Sequence, residues 1–340
     1  MPTLYFATED ALAVLTIKGN GTAAKLDLQL TGHEVQCVAV DPLQPQVVYC
    51  GTFGAGLWRS TDAGRMWRPV GKGITHDQVQ SVAISRLERV AGHGVVYAGT
   101  EPSAIFRSED SGETWRERPG LTALPSASEW SFPPRPYTHH VRWIEPDPHV
   151  QGRIFAAIEA GALLRSPDSG ATWQDRVASG PFDTHQLLIH PAAPDRLYSA
   201  AGDGYFESYD AGNTWQQFED GLEHRYTWSV AIDATDPNLI LLSSSPSPMH
   251  SHYKPAESYV YRRVTGSPWQ QITSGLPDPH GRHTAVLAAH PSEHGRFYAA
   301  WGRDIFHSTD GGLNWERLDI SWPENVSISE ICEMAIAEGE

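Results

Sequence analysis

Short apolar runs bounded by Gly, Pro, Asn and Asp recur from one end of the chain to the other. One set reads VQCVAVDP, VQSVAIS, LLIHP, SVAIDATDP and AVLAAHP. A second set follows each of these closely: VVYCGT, VVYAGT, RLYSAA and RFYAAW. A third, such as GLWRSTD, leads into a polar turn, and a further segment follows the turn. These runs have strand length, are rich in β-branched and aromatic residues, and meet no competing helical period. They predict an all-β chain built from units of four strands.

The turn after the third strand is nearly constant. It reads STDAGRMW from Ser60, SEDSGETW from Ser108, SPDSGATW from Ser166, SYDAGNTW from Ser208 and STDGGLNW from Ser308. An eroded copy, VTGSPW at Val264 to Trp269, lies in the double interval before the last. The Asp carboxylate can accept backbone N–H groups and close the turn, Gly takes a conformation closed to other residues, and Trp pins the turn against a neighbouring sheet. A period of roughly 47 residues with four strands per unit is the signature of a β-propeller.

Six units begin near residues 33, 76, 139, 183, 226 and 283. The two ends supply a seventh, with SISEICEMAIAEGE as its first strand and TLYFATEDALAVLTIKG plus KLDL as the other three. Pairing of the termini closes the ring and hides its edges. The expectation is one seven-bladed propeller over residues 1–340, with blades numbered here from the one that joins the ends.

The octapeptides resemble Asp-box (BNR) repeats, found in sialidases, xyloglucanases, sortilin-type receptors and a photosystem II assembly factor. The resemblance covers nearly the whole chain and implies the propeller fold. It implies no single activity, because those families share the turn and not the chemistry. Sialidase activity would need an arginine triad, a Tyr/Glu nucleophile pair and an Asp acid. The chain has no F-R-I-P-like element near its N-terminus and no placement for three arginines, so that activity is not expected. The Asp boxes themselves read as structural.

Composition narrows the partners. A formal charge of −16 leaves no basic footprint for a nucleic acid. Cys37, Cys50 and Cys332 make no disulfide framework. The N-terminal stretch has no basic n-region, Glu9 and Asp10 interrupt its apolar run, and no segment reaches the length of a membrane span. The expected compartment is the cytoplasm, with no membrane partner.

Aligning the first strands of the units exposes the candidate chemistry. One column is β-branched throughout: Val35, Val79, Val141, Thr184, Thr227, Thr284 and Ile331. Another is apolar: Val38, Val82, Ile144, Leu187, Val230, Leu287 and Met334. The column before the β-branched one reads Glu34, Gln78, His140, Asp183, Tyr226, His283 and Glu330. The column after it reads Gln36, Gln80, Arg142, His185, Trp228, Ala285 and Cys332, and His33, His76, His139, Arg225 and Arg282 lie just upstream. First strands of a propeller all start on one face, so these groups are expected around one mouth of the central channel. Two long connections fall on the same face. GLTALPSASEWSFPPRPY carries Trp130, Phe132 and Arg135, and SSSPSPMHSHYKPAES carries His250, His252, Tyr253 and Lys254.

Imidazoles with a carboxylate suit Zn, Mn, Fe or Ni, and His140, His185 and His283 are the expected ligands, with Glu330 or Glu34 nearby. Without a metal, His140, Tyr226 and Glu330 supply acid and base while Arg142 holds a carboxylate, as an elimination on a uronic acid requires. Gln36, Gln80, Glu34, His252, Trp228 and Trp130 are expected to bind substrate, with Trp301 a further stacking surface. Glu34, Asp183 and Glu330 are the candidates for paired glycosidase acids. These features predict a hydrolase or lyase, or a binder, for a polar, carbohydrate-like or carboxylated small molecule. The other reading is a non-catalytic scaffold for a protein partner. Glu101, Glu159, Asp203 and Asp304, on the loops between second and third strands, are expected to serve solubility more than a basic partner.

Overall fold

The computed structural model describes residues 2–18, 23–323, 328 and 330–338. Its strands form seven antiparallel sheets around an axis, joined in the order the repeats predict. The first strands of blades 2 to 7 are Val35–Asp41, Gln78–Val90, Val141–Pro146, Thr184–Ile189, Tyr226–Ile232 and Val286–Ala289. In blade 1 the strand Ile331–Ala337 pairs with Thr3–Thr8, Thr3 opposite Ala337, and Leu12–Ile17 and Ala23–Gln29 complete the sheet. Outer strands are short. In blade 4 the fourth is reduced to a bridge between Arg165 and Gln174.

Seven hydrophobic clusters lie between the blades, one at each interface. Second strands supply much of the bulk: Tyr5, Tyr49, Tyr97, Tyr198 and Tyr298 are all fully buried. Each blade is apolar on both sides, so each needs a neighbour on both sides to remove that surface from water.

The Asp box fastens one blade to the one before it. In blade 2 the Ser60 hydroxyl donates to Asp62 Oδ1 (2.8 Å), and the Met66 N–H donates to the same oxygen (2.9 Å). Ala63 and Gly64 both have positive φ, 59° and 83°. A Cβ on Gly64 would come within 2.9 Å of Tyr5 in blade 1, so the glycine supplies close approach as well as conformation. In blade 3 the Trp115 indole N–H donates to Val70 O of blade 2 (2.6 Å) and to Gly112 O (2.9 Å).

The backbone N–H of Thr172 holds the Asp168 carboxyl below the ordinary aspartate range. In the other boxes similar bonds outweigh partial burial to the same effect. Replacing Asp168 by Ala removes acceptors for Thr172 and Ser166, and is expected to cost about 1–2 kcal/mol. That loss should appear as a Tm lower by roughly 2–6 °C at pH 7. A native carboxyl with a depressed pKa stabilises above the unfolded value and stops doing so as pH falls. The gap between wild type and Asp168→Ala should therefore narrow below about pH 4. Melting curves at pH 7 and pH 3 check both points.

Candidate functional site

The first strands share one irregularity. Their pairing with the second strands slips at the same place in blades 2 to 6, between Val35 and Cys37, Val79 and Ser81, Val141 and Trp143, Thr184 and Gln186, and Thr227 and Ser229. Blade 1 skips Cys332 in the same way. Each slip is a β-bulge, which adds a residue and re-aims the side chains around it. Its first effect is on packing. Val79 and Val82 lie in one cluster facing blade 2, and Val141 and Ile144 in one facing blade 3. Residues three apart share a face only because the bulge lies between them. Its second effect is on chemistry: the extra residues are Gln36, Gln80, Arg142, His185, Trp228 and Cys332, at the channel.

Around the mouth these groups form a continuous polar network. His140 Nε2 lies 2.9 Å from Glu159 Oε2, and Arg142 Nε lies 3.6 Å from the same oxygen. The Arg142 guanidinium sits 5.1 Å from the Trp228 ring centre. His185 donates from Nδ1 to Thr227 O (2.7 Å), and its Nε2 lies 3.6 Å from Asp183 Oδ2 and 3.3 Å from Tyr226 Oη. Tyr226 Oη is also 3.4 Å from His252 Nε2, and His252 Nδ1 donates to Glu330 Oε1 (3.3 Å). His283 Nδ1 faces the other oxygen of Glu330 at 3.8 Å.

Proton counting fixes the direction of this chain. Nδ1 of each imidazole is a donor, so both Nε2 atoms face one phenol that has one proton to give. A second proton on one imidazole would complete both bonds. Burial disfavours it at His185, but the neighbouring Asp183 and Glu159 charges outweigh burial and raise its pKa. With that proton on His185 the order runs His185 to Tyr226, Tyr226 to His252, and His252 to Glu330. Burial opposes ionisation of Glu330 too, yet the bonds from His252 and His283 pull its carboxyl down to about 2. Burial raises the Tyr226 hydroxyl well above its ordinary value. His252, Glu330 and His283 are each about a quarter exposed (24–28 %), whereas His185 is fully buried behind them.

Several expectations need correction. Trp130 is not a sugar platform: it is 6 % exposed, packs in the interface of blades 3 and 4, and donates to Ser126 Oγ. Trp301 is equally buried and donates to Ser258 Oγ. Trp228 reaches the mouth, but His185, His252 and Arg142 bracket its ring. Among the described residues, His140, His185 and His283 do not form a ligand set; His140 is turned to Glu159 and His283 to Glu330. Gln80 is buried and donates to Glu101, which makes it a support. Gln36 is half-buried in its bulge, and Glu34 is exposed at the rim, where burial and the Glu9 charge raise its pKa. The upstream residues turn outward, His33 to Trp58 and Arg282 to Asp304.

Two groups were underrated from the sequence. Glu101 and Glu159 are not solubilising tips. Glu101 is 4 % exposed and takes a two-pronged contact from Arg135 (2.9 and 2.6 Å), with His140 Nδ1 at 3.7 Å. Their common place, at the end of the second strand in VVYAGTE and RIFAAIE, was the available signal. The long connections are built parts of the mouth. The first forms two 3-10 turns, with Ser126 donating twice to Asp175, and carries Arg135. The second folds into the helix Pro248–His252, capped by Ser247, which delivers His252.

Below the mouth the channel closes. The cavity lined by Arg142, His185, Trp228, Cys332 and Glu333 measures about 10 Å³, room for one water at most. This cavity is too small for a ligand, which would sit on the mouth above it. A wider, open recess of about 500 Å³ on the Glu219–Arg225 connection holds none of these imidazoles.

No family model matches the chain. A stretch of 94 residues, 27 % of the chain, is 33 % identical to the human VPS10 domain-containing receptor SorCS1, and it spans 8 % of that receptor. An ancestral GH74 enzyme matches 98 % of this chain and 40 % of its own, at 16 % identity and TM-score 0.64. YCF48 bound to D1 peptide matches 84 % of this chain and 81 % of its own, at 17 % identity and TM-score 0.59. YCF48 from Cyanidioschyzon merolae matches 97 % and 90 %, at 12 % identity and TM-score 0.57. Likeness at these identities concerns the fold.

Glu333 lines the closed channel and Glu145 stands on the first strand of blade 4, and burial raises each carboxyl to about 8. Between the unfolded pKa and pH 8 the unfolded chain releases a proton that the native chain keeps, so stability falls as pH rises. Glu333→Gln removes this penalty. Its Tm should exceed wild type by roughly 2–4 °C at pH 9 and match it at pH 4, as scanning calorimetry at the two pH values will show. Seven blades and five turns that resemble Asp boxes make this chain a seven-bladed β-propeller.

Proposed function

We propose that the channel mouth binds a polar, carboxylated or carbohydrate-like small molecule and transfers a proton to or from it, the chemistry of a hydrolase or lyase. The observation that carries this reading is the bonded chain His185–Tyr226–His252–Glu330, assembled from three blades and a loop. A structural role alone does not call for a quarter-exposed imidazole backed by a carboxylate on one nitrogen and a buried phenol on the other. His252 is the front member. Glu330 orients it, and Tyr226 passes or accepts the proton behind it. Arg142, 3.6 Å from Glu159, has N–H groups left for an anionic substituent. His140 and Glu159 hold that arginine in place.

A thermal-shift screen of uronates, hydroxy acids and oligosaccharides, with product detection by mass spectrometry, tests this. Wild type should melt higher with a hit and convert it. His252→Gln and Tyr226→Phe should retain the shift but lose turnover by about 10²–10⁴-fold. A converted hit indifferent to both substitutions would contradict the reading.

The second reading is a protein-binding scaffold. It is favoured by coverage: the YCF48 structures match this chain over most of both chains, whereas the GH74 enzymes match over less than half of theirs. A stable protein partner lost on substituting mouth residues, with no small-molecule shift, would support it.

A further inference from the structure

We infer that Glu159, Asp183 and His185 form a binding site for one divalent cation of the Mn, Fe, Ni or Zn group. One ligand atom from each of the three lies within 4.8 Å of the other two, a spacing a single ion can bridge. The inference goes beyond the proton-transfer reading and does not need it.

The case rests on how each ligand is held. His185 donates from Nδ1 to Thr227 O (2.7 Å), which fixes the ring and aims Nε2 at Asp183. Asp183 accepts the Ala160 N–H at Oδ1 (2.7 Å), so Oδ2 is the oxygen that faces His185. Glu159 meets His140 Nε2 at Oε2 (2.9 Å), which orients the carboxylate. His185 and Asp183 are thus gripped by the far atom and present the near one, and Glu159 is oriented by His140, as metal ligands commonly are. Three protein ligands leave open positions, and the oxygen and imidazole donors suit borderline divalent ions.

His140 holds the Glu159 ligand from outside the cluster, through Nε2. His140 is 3 % exposed, and its Nδ1 has no hydrogen-bond partner; the nearest acceptor, Glu101, is 3.7 Å away. Buried polar atoms are seldom left unpaired without a functional cause. A dication balances the two carboxylates and leaves the Arg142 charge uncompensated, so the loaded mouth would attract an anionic group. The Tyr226 hydroxyl, 3.3 Å from His185 Nε2, then borders the open positions.

The full-length protein, stripped with chelator, should be titrated separately with Zn²⁺, Mn²⁺ and Co²⁺ by calorimetry, with Co²⁺ also followed by visible absorption. One equivalent of at least one ion should bind and raise the Tm. Asp183→Asn and Glu159→Gln, near-isosteric changes at partly exposed side chains, should each weaken binding by at least about 10–100-fold while keeping a wild-type circular dichroism spectrum. His140→Gln should weaken it through Glu159. The inference is overturned if the folded wild type binds none of the three ions. It is equally overturned if folded Asp183→Asn and Glu159→Gln bind them as wild type does. These readings need no substrate, so they stand or fall apart from the turnover assay.

Discussion

A blade of this protein has no solvent face of its own. Both sides are apolar, and each is covered only by the next blade, through one of seven clusters. An open stack would leave two such faces in water, together with the unpaired edges of the terminal sheet. The ring removes them, and it closes because Thr3–Thr8 finds its partner in Ile331–Ala337, more than three hundred residues away in the chain. Loss of that pairing would expose blades 7 and 2 at once. Every functional statement about the mouth presupposes this closure, since Glu330 enters the site from the closing strand.

The bulge converts closure into chemistry. A regular strand would put residues three apart on opposite faces. Here Val141 and Ile144 both serve the interface with blade 3, and the extra residue between them belongs to the channel. The cost of crowding charged groups there is offset by pairing: Arg135 on Glu101, His140 and Arg142 on Glu159, and His252 and His283 on Glu330. Buried charges without such partners would neutralise instead. Glu333, in the channel, and Glu145, on the strand of Arg142, show the contrast: with weaker compensation both are driven toward the protonated form.

The fold was legible in the sequence because its determinants are local and repeated. The octapeptides, the V-Y strands and the β-branched column each recur at a fixed place in the unit, and the termini could be assigned by subtraction. The membership of the mouth was legible for a similar reason, as with His140, Arg142, His185, Tyr226 and Glu330. Contacts were not. Whether Trp130 stacks on a ligand or fills a core depends on how a unique loop folds over blade 4, and no repeat constrains that loop. The inward turn of Glu101 and Glu159 depends on partners from other blades. The bulge left one trace, two apolar columns spaced by an odd number, which a regular strand cannot satisfy.

The central claim is that groups remote in sequence act as one bonded unit at the mouth. A double-mutant cycle on Tyr226 and Glu330, using Phe and Gln and read as unfolding free energy at pH 7, tests it most directly. The two residues do not touch and are joined through His252. A coupling on the order of 0.5–3 kcal/mol is expected of a shared network. Additivity within about 0.3 kcal/mol would mean that the two residues are merely neighbours, and the bonded unit would have to be abandoned.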